Sequence, residues 1–397
     1  MAGVSASAEA VRGVRAAPAA LAAQPSTTPR ASRRLVSLDA FRGMAIAAMI
    51  LVNNPGAWSD VYAPLRHSAW NGCTVADLIF PFFLFIMGVA LRFSVGQRQM
   101  DGAARRHLYT DVLRRTAVIF ALGVFLNGFP LFDWSVLRLP GVLQRIAVCY
   151  GVSALIVLNS SWRRQASIVT ALVVGYWIAA VFVPVAGQVD GPFGAEGNLA
   201  ARVDDALLHG HLLYDGWDPE GLLTTLPAIA TTLIGVLTGH WLLAARTPTA
   251  QVAGLVGAGW VGAAGGLLLN RWCPINKNLW TSSYVVFTAG MALLVFALCH
   301  WLIDVRGYRR WATPFVSYGR NPIVAYVLSS LVAKELLLWR VARADGSTID
   351  LARYLYESLF LPLARPVDAS LLYAVAYVLL WLGVASYLNR QGVLIKI

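Results

Sequence analysis

Stretches of about 20 mostly apolar residues recur from one end of this 397-residue chain to the other, and they constrain its fold more than any other feature. Each is long enough to cross roughly 30 Å of hydrocarbon as a helix. About ten begin near Leu35, Val75, Val112, Gly141, Ala166, Leu222, Gln251, Ser282, Pro314 and Ala369. Apolar side chains make up 58% of the chain and charged ones 13%, more apolar matter than a soluble domain of this length can hide. The expected fold is all-α: a polytopic integral membrane helix bundle of about ten transmembrane helices in a lipid bilayer.

A net charge of +12 raises the question of nucleic acid. The basic runs answer it. "RASRR" (30–34), "RQMDGAARRHLYTDVLRR" (98–115), "SSWRRQ" (160–165) and "DVRGYRR" (304–310) fall in every second connection, the pattern of cytoplasmic helix ends. Several arginines between 340 and 365 lie on the other side without reversing it. No nucleic-acid partner is expected, and both termini are expected in the cytoplasm.

Residues 1–34 are rich in Ala, Ser, Pro and Arg and lack a central apolar run, so they read as a disordered cytoplasmic tail rather than a signal peptide. The transmembrane domain then covers 35–397. Most connections are short, which implies antiparallel neighbours. Three outer ones are long, 55–74, 184–221 and 339–366, and longer loops tend to carry function. Within the second, the apolar spacing over 196–221 predicts a short amphipathic helix at the bundle mouth. The four cysteines show no CxxC spacing, and Cys73 and Cys273 share the outer side, where they could pair. No metal is predicted.

Ionisable groups at membrane depth cost a few kcal/mol each, so every one needs a partner, a wet cavity or a function. Asp39 and Arg42 in "SLDAFRG" are three apart on one helical face, placed for a structural ion pair or, through Arg42, for holding the phosphates of a cytoplasmic donor. Asp77 lies in the first turn of the second helix with Thr74 as its N-cap, a structural position that orients the loop before it. His67 precedes that cap in "RHSAWNGCTVADLIFPFF", beside Trp70 and Asn71, and imidazole is the side chain that changes charge near neutral pH. Asn53 in "MILVNNPG" ends the first helix at the same level, where an amide terminates a helix or donates to an oxyanion. Two more outer clusters stand out. "DGWDPEG" offers Asp218 and Glu220, and "RWCPINKNLWTSS" offers Asn276, Lys277, Trp280, Thr281 and Ser282: either solvated turn residues beside a Trp anchored in the interface, or acids with the amides, hydroxyls and indole that bind sugars.

Several blocks in order, "SLDAFRGMAIAAMILVN", "HSAWNGCTVADLIFPFFLFIMG", "DPEGLLTTLPAIATTLIGVLTG", "CPINKNLWTSSYVVFTAG" and "PFVSYGRNPIVAYVLS", resemble the heparan-α-glucosaminide N-acetyltransferase family of transmembrane acyltransferases, bacterial branch. The resemblance implies transfer of an acetyl group from cytoplasmic acetyl-CoA, the co-substrate, to the amine of a glucosamine-type sugar on the periplasmic side of the inner membrane. It carries the family's essential histidine onto His67 and its first-helix asparagine onto Asn53. His67 would take the amine's proton or accept the acetyl group transiently, with Asn53 polarising the carbonyl and Asp218 or Glu220 attracting the ammonium. The pantetheine arm would enter between helices, its phosphates near Arg42, Arg320 and Asn321. Pairing into a homodimer is left open. The reading from another class is an amino-sugar or muropeptide permease, with the same polar groups lining a pathway.

Overall fold

The computed structural model describes residues 35–95, 102–187, 189–244, 246–343 and 346–394; the expected tail, 1–34, lies outside the described residues. Helices form where the apolar stretches run and stop where polar or glycine-rich segments interrupt them. They are α1 (Val36–Asn53), α2 (Val75–Val95), α3 (Gly102–Gly128), α4 (Val142–Asn159), α5 (Trp162–Phe182), α6 (Leu199–Leu208), α7 (Leu222–Leu243), α8 (Pro248–Leu269), α9 (Ser282–Cys299, prolonged by a wider turn to Val305), α10 (Thr313–Arg320), α11 (Pro322–Leu338), α12 (Leu351–Leu355) and α13 (Pro366–Arg390). The expected short amphipathic helix is α6, capped by the Asn198 side chain, which accepts from the Ala201 N–H at 2.9 Å.

Among the described residues eight helices are long and apolar enough to span a membrane, and α10 with α11, bent by 75°, makes a ninth as a pair. The bend falls where Pro322 follows Asn321, because the residue before proline is pushed out of helical conformation. The tenth expected span is α3. Its helix starts ten residues before Val112, and Arg105, Arg106, Asp111, Arg114 and Arg115 occupy its first half. Only Thr116–Gly128 is apolar, about 20 Å at 1.5 Å per residue, so α3 reaches across only if its arginines extend to the interface. One small departure from the all-helical expectation is an antiparallel hairpin, β1 (Arg340–Ala342) and β2 (Thr348–Asp350), in the third long connection. All four cysteines are free, so Cys73 and Cys273 do not pair.

Burial separates a centre from a rim. In α2 and α7, 67% of the most apolar window is buried, against 17% in α5 and 22% in α8, which leaves the latter faces for lipid. The α2–α7 contact rests on reciprocal glycines: a Cβ added at Gly88 would collide with the Thr232 carbonyl, and one at Gly235 with the Phe85 carbonyl. Small residues allow such close approach in membranes, where packing rather than the hydrophobic effect holds helices together. Gly88→Ala is therefore expected to push α2 from α7 at a cost of about 1–3 kcal/mol. A lowered melting temperature of the detergent-solubilised protein would show it, and an unchanged one would mean that the pair tolerates the shift.

The α2–α7 pair also fixes the layout of the ends. The C-terminus of α1 and the N-termini of α2, α4, α7 and α9, or residues just before them, meet around one cleft. The start of α1, the end of α2 and the start of α11 meet around a second cavity.

Candidate active site

The segment between α1 and α2 carries His67, and Asp77 holds it in place. Thr74 is the N-cap residue of α2 and Asp77 sits three positions on, so the carboxylate folds back onto the Thr74 N–H (3.0 Å) and hydroxyl (3.1 Å). The same oxygen, Oδ2, accepts from the Ser68 N–H at 3.1 Å, which fixes the loop. This is the capping and loop-orienting role that local sequence gives Asp77. The other oxygen does more. Oδ1 lies 2.7 Å from His67 Nδ1, and because an ionised carboxylate only accepts, Nδ1 carries the proton and Nε2 keeps the lone pair. Asp77 is 1% exposed while the imidazole is 41% exposed, the arrangement of a buried anion orienting a reachable base. Tyr284 adds a bond from its hydroxyl to the Asp77 backbone carbonyl at 2.5 Å.

His67 shares a small cleft with Asn53, Glu220 and Lys277 over an apolar floor of Ile79, Phe80 and Val142. Asn53 ends α1, but the neighbouring Asn54 does the terminating, its Nδ2 donating to the Ile50 carbonyl at 2.7 Å. The Asn53 amide is left exposed at the cleft, clear of that capping task. Lys277 enters from the loop before α9. Its Nζ lies 3.1 Å from Nδ1 and 3.3 Å from Nε2 of His67, and 3.7 Å from Asp77 Oδ1. Burial pushes its pKa below the usual lysine range, against the upward pull of Glu220 and Asp77.

The rest of the "RWCPINKNLWTSS" cluster supports the lysine rather than facing the cleft. Asn276 is fully buried, accepting from the Leu279 N–H at 2.9 Å and donating to Asn71 Oδ1 at 3.1 Å. Thr281 donates to the Pro274 carbonyl at 2.7 Å and Ser282 to the Val173 carbonyl at 2.6 Å. Trp280 is 1% exposed, packed edge-on against Phe80 and Tyr284, with its N–H donating to Thr231 at 3.1 Å. The expectation that Trp280 stacks on a sugar is therefore corrected: its ring is core, Thr281 and the Asn276 oxygen close the turn, and Ser282 and the Asn276 amide tie it to α5 and to Asn71. Of this cluster Lys277 alone lines the cleft.

Asp218 and Glu220 also part company. Asp218 is buried under Arg138, which reaches it through Nε (2.8 Å) and Nη2 (2.7 Å), while the N–H groups of Leu213 and Glu220 bond to it at 2.9 Å. Its acceptor positions are filled from within, so it is a strut. Glu220 receives one Arg138 bond at 2.6 Å and still lines the cleft. Burial would lower the Arg138 pKa, but the two carboxylates raise it above the ordinary value.

Two arginines missing from the sequence-derived set hold this region together. Arg138 is one. The other, Arg145, is fully buried in α4, donating to the Gly221 carbonyl at 3.3 Å and to Thr224, with its guanidinium 5.0 Å from the Trp280 ring centroid. A charged residue one turn into the apolar run "GVLQRIAVCY" was a readable signal for it.

The second cavity, larger than the cleft, is lined by Arg42, Ser94, Arg115 and Tyr150 above apolar residues that include Phe83, Met87 and Ile146. Arg42 also pairs with Asp39 at 2.7 Å and donates to the Gly319 carbonyl at 2.8 Å, so the ion pair and the cavity lining coexist. Arg320 is exposed and bonded to Asn389, and Asn321 is buried and donates to the Val393 carbonyl at 2.9 Å; neither lines the cavity, whereas the next residues, Pro322 and Ile323, do. Arg115 is the cation that sequence reasoning left out. The two cavities stand back to back. Phe80 on α2 and Val142 on α4 line the cleft, and Phe83 and Ile146, about one helical turn (~5 Å) further along the same two helices, line the larger cavity. Among the described residues no group of three or more His, Cys, Asp or Glu side chains is placed to hold a metal.

Residues 34–258 match the family model for the catalytic region of heparan-alpha-glucosaminide N-acetyltransferase, more than half of the chain. The chain is also 30% identical over 374 residues to a Mus musculus protein of that name, covering 79% of the chain and 56% of the relative. With the Homo sapiens protein of the same name it is 30% identical over 355 residues, covering 74% and 52%. The chain thus spans about half the length of these relatives.

Proposed function

This chain belongs to the heparan-alpha-glucosaminide N-acetyltransferase catalytic family, and we propose that it passes an acetyl group through a multi-pass membrane bundle, from acetyl-CoA at one end to the amine of a glucosamine-type sugar at the other. The observation that carries this reading is the pair of cavities lined one helical turn apart on α2 and α4, with Arg42 and Arg115 lining the larger and His67, held by Asp77, lining the cleft. A long, thin pantetheine arm fits between helices with its phosphates on arginines, and needs only a small opening between the two cavities to present its thioester to the cleft. The basic runs at the larger cavity's end support a cytoplasmic location for it, and so a periplasmic cleft in a bacterial inner membrane.

In the cleft the acceptor ammonium gives a proton to His67 Nε2, and Asp77 stabilises the imidazolium that results. The neutral amine attacks the thioester carbonyl, the C–S bond breaks, and the CoA thiolate leaves with a proton. Asn53 donates to the carbonyl oxygen as charge develops, aided by the positive N-terminal ends of α2, α4, α7 and α9 around the cleft. Glu220 attracts the incoming ammonium.

The test is sided. In liposomes loaded with acetyl-CoA, external glucosamine should become acetylated by protein oriented with its larger cavity inward. Acetylation only when both compounds share one compartment would overturn the transmembrane route. Back-to-back cavities also suit an amino-sugar permease, and uptake of labelled glucosamine with no acetyl-CoA present would favour that reading.

A further inference from the structure

The cleft that is to receive an amine already contains one. Lys277 Nζ stands within 3.7 Å of Asp77 Oδ1 and 3.3 Å of His67 Nε2, and shares the cleft with Glu220 and Asn53. These are the groups the acetyl-transfer reading gives to the acceptor's ammonium. The lysine is held there by construction: Asn276 on one side and Trp280 and Thr281 on the other are buried and bonded into the turn, so the backbone of Lys277 has little freedom to withdraw. Nζ is 3.1 Å from Nδ1 and 3.3 Å from Nε2, which places it over the face of the imidazole beside Asp77, and a rotation of the lysine side chain brings it to the Nε2 lone pair, the contact that primes an acceptor.

We propose that Lys277 is a self-acetylation site: with acetyl-CoA bound and no sugar in the cleft, His67 takes a proton from Nζ and the amine attacks the thioester. This rests on the acetyl-transfer reading above. The N–C bond forms at Nζ as the C–S bond breaks; one amine proton goes to His67 and on to solvent, and a second to the CoA thiolate. The products are acetyl-lysine, CoA thiol and one proton. The amide is too stable to pass its acetyl group on, so it removes a cation from the cleft and places an acetyl group where the sugar must enter. Burial favours the chemistry, because a lysine with a lowered pKa keeps more neutral amine at a given pH. Sugar binding displaces the side chain and protects it, which makes acceptor scarcity an off signal written into the site.

The full-length protein in detergent would be incubated with acetyl-CoA alone and the peptide carrying Lys277 analysed by mass spectrometry. Expected is one acetyl group on Lys277, falling about 100-fold in His67→Ala, suppressed by excess glucosamine, and rising with pH. Glucosamine acetylation should fall in step with occupancy, and Lys277→Arg should carry no label at this position. An unmodified Lys277 after incubation with acetyl-CoA alone, in protein that does turn over glucosamine when the sugar is supplied, would overturn this inference alone, as would equal labelling in His67→Ala. Neither turnover nor label would overturn the acetyl-transfer reading together with it.

Discussion

His67→Ala is expected to reduce acetyl transfer to glucosamine by about 10²–10⁴-fold, the range for removing a positioned general base, while the bundle stays folded. The fold should survive because the imidazole is 41% exposed and Asp77 keeps three other donors, the Ser68 N–H, the Thr74 N–H and the Thr74 hydroxyl. Asp77→Asn tests the pair from its other side. The amide oxygen can still cap α2, but the amide nitrogen is a donor and turns the ring so that Nδ1 accepts, which leaves the proton on Nε2 where the base should be. Turnover should fall as far as in His67→Ala, with a small change in melting temperature. Full-rate transfer by folded His67→Ala would remove the imidazole from the chemistry and return the cleft to a binding role.

The starts of most spans were legible because apolar composition acts locally and each helix must satisfy its own backbone. α1, α2, α4, α7 and α9 begin within a residue or so of the positions that hydropathy gives. α3 was misjudged at its N-terminus because helix formation tolerates the arginines that hydropathy excludes. The site divides along the same line. His67 and Asn53 stood out as polar groups beside apolar runs and through the family resemblance. Asp77 had a sufficient local explanation as a cap, which concealed its second oxygen's bond to His67. Lys277 and Arg138 acquire their meaning from partners 210 and 80 residues away, and no local pattern carries such a pairing. Trp280 misled for a related reason: an indole among amides and hydroxyls composes a sugar site and a tightly stitched buried turn equally well.

The other large effect concerns the strut beneath the cleft. Arg138→Ala would leave Asp218, whose side chain is fully buried, and Glu220, 10% exposed, as adjacent carboxylates without their shared cation. Breaking a buried pair from one side costs about 3–5 kcal/mol, because the remaining charge keeps its desolvation penalty and loses its compensation. The strain falls on the 211–221 turn, which Asp218 closes by accepting from the N–H groups of Leu213 and Glu220, and through Gly221 on the start of α7. Arg138→Lys keeps the charge but cannot span both Asp218 oxygens and Glu220 together, so its loss should be intermediate. Melting temperatures should therefore descend from wild type through Arg138→Lys to Arg138→Ala. Adding Asp218→Asn and Glu220→Gln to Arg138→Ala should recover only part of the stability: the unpaired carboxylates are gone, but an amide at 218 has one oxygen for the two N–H groups, and Arg145 and Lys277 lose nearby anions. It should not recover activity if Glu220 has the role proposed for it, attracting the acceptor's ammonium. If Arg138→Ala were as stable as wild type, the turn would be held by its backbone bonds alone, and Glu220 would be aimed into the cleft without help from the arginine.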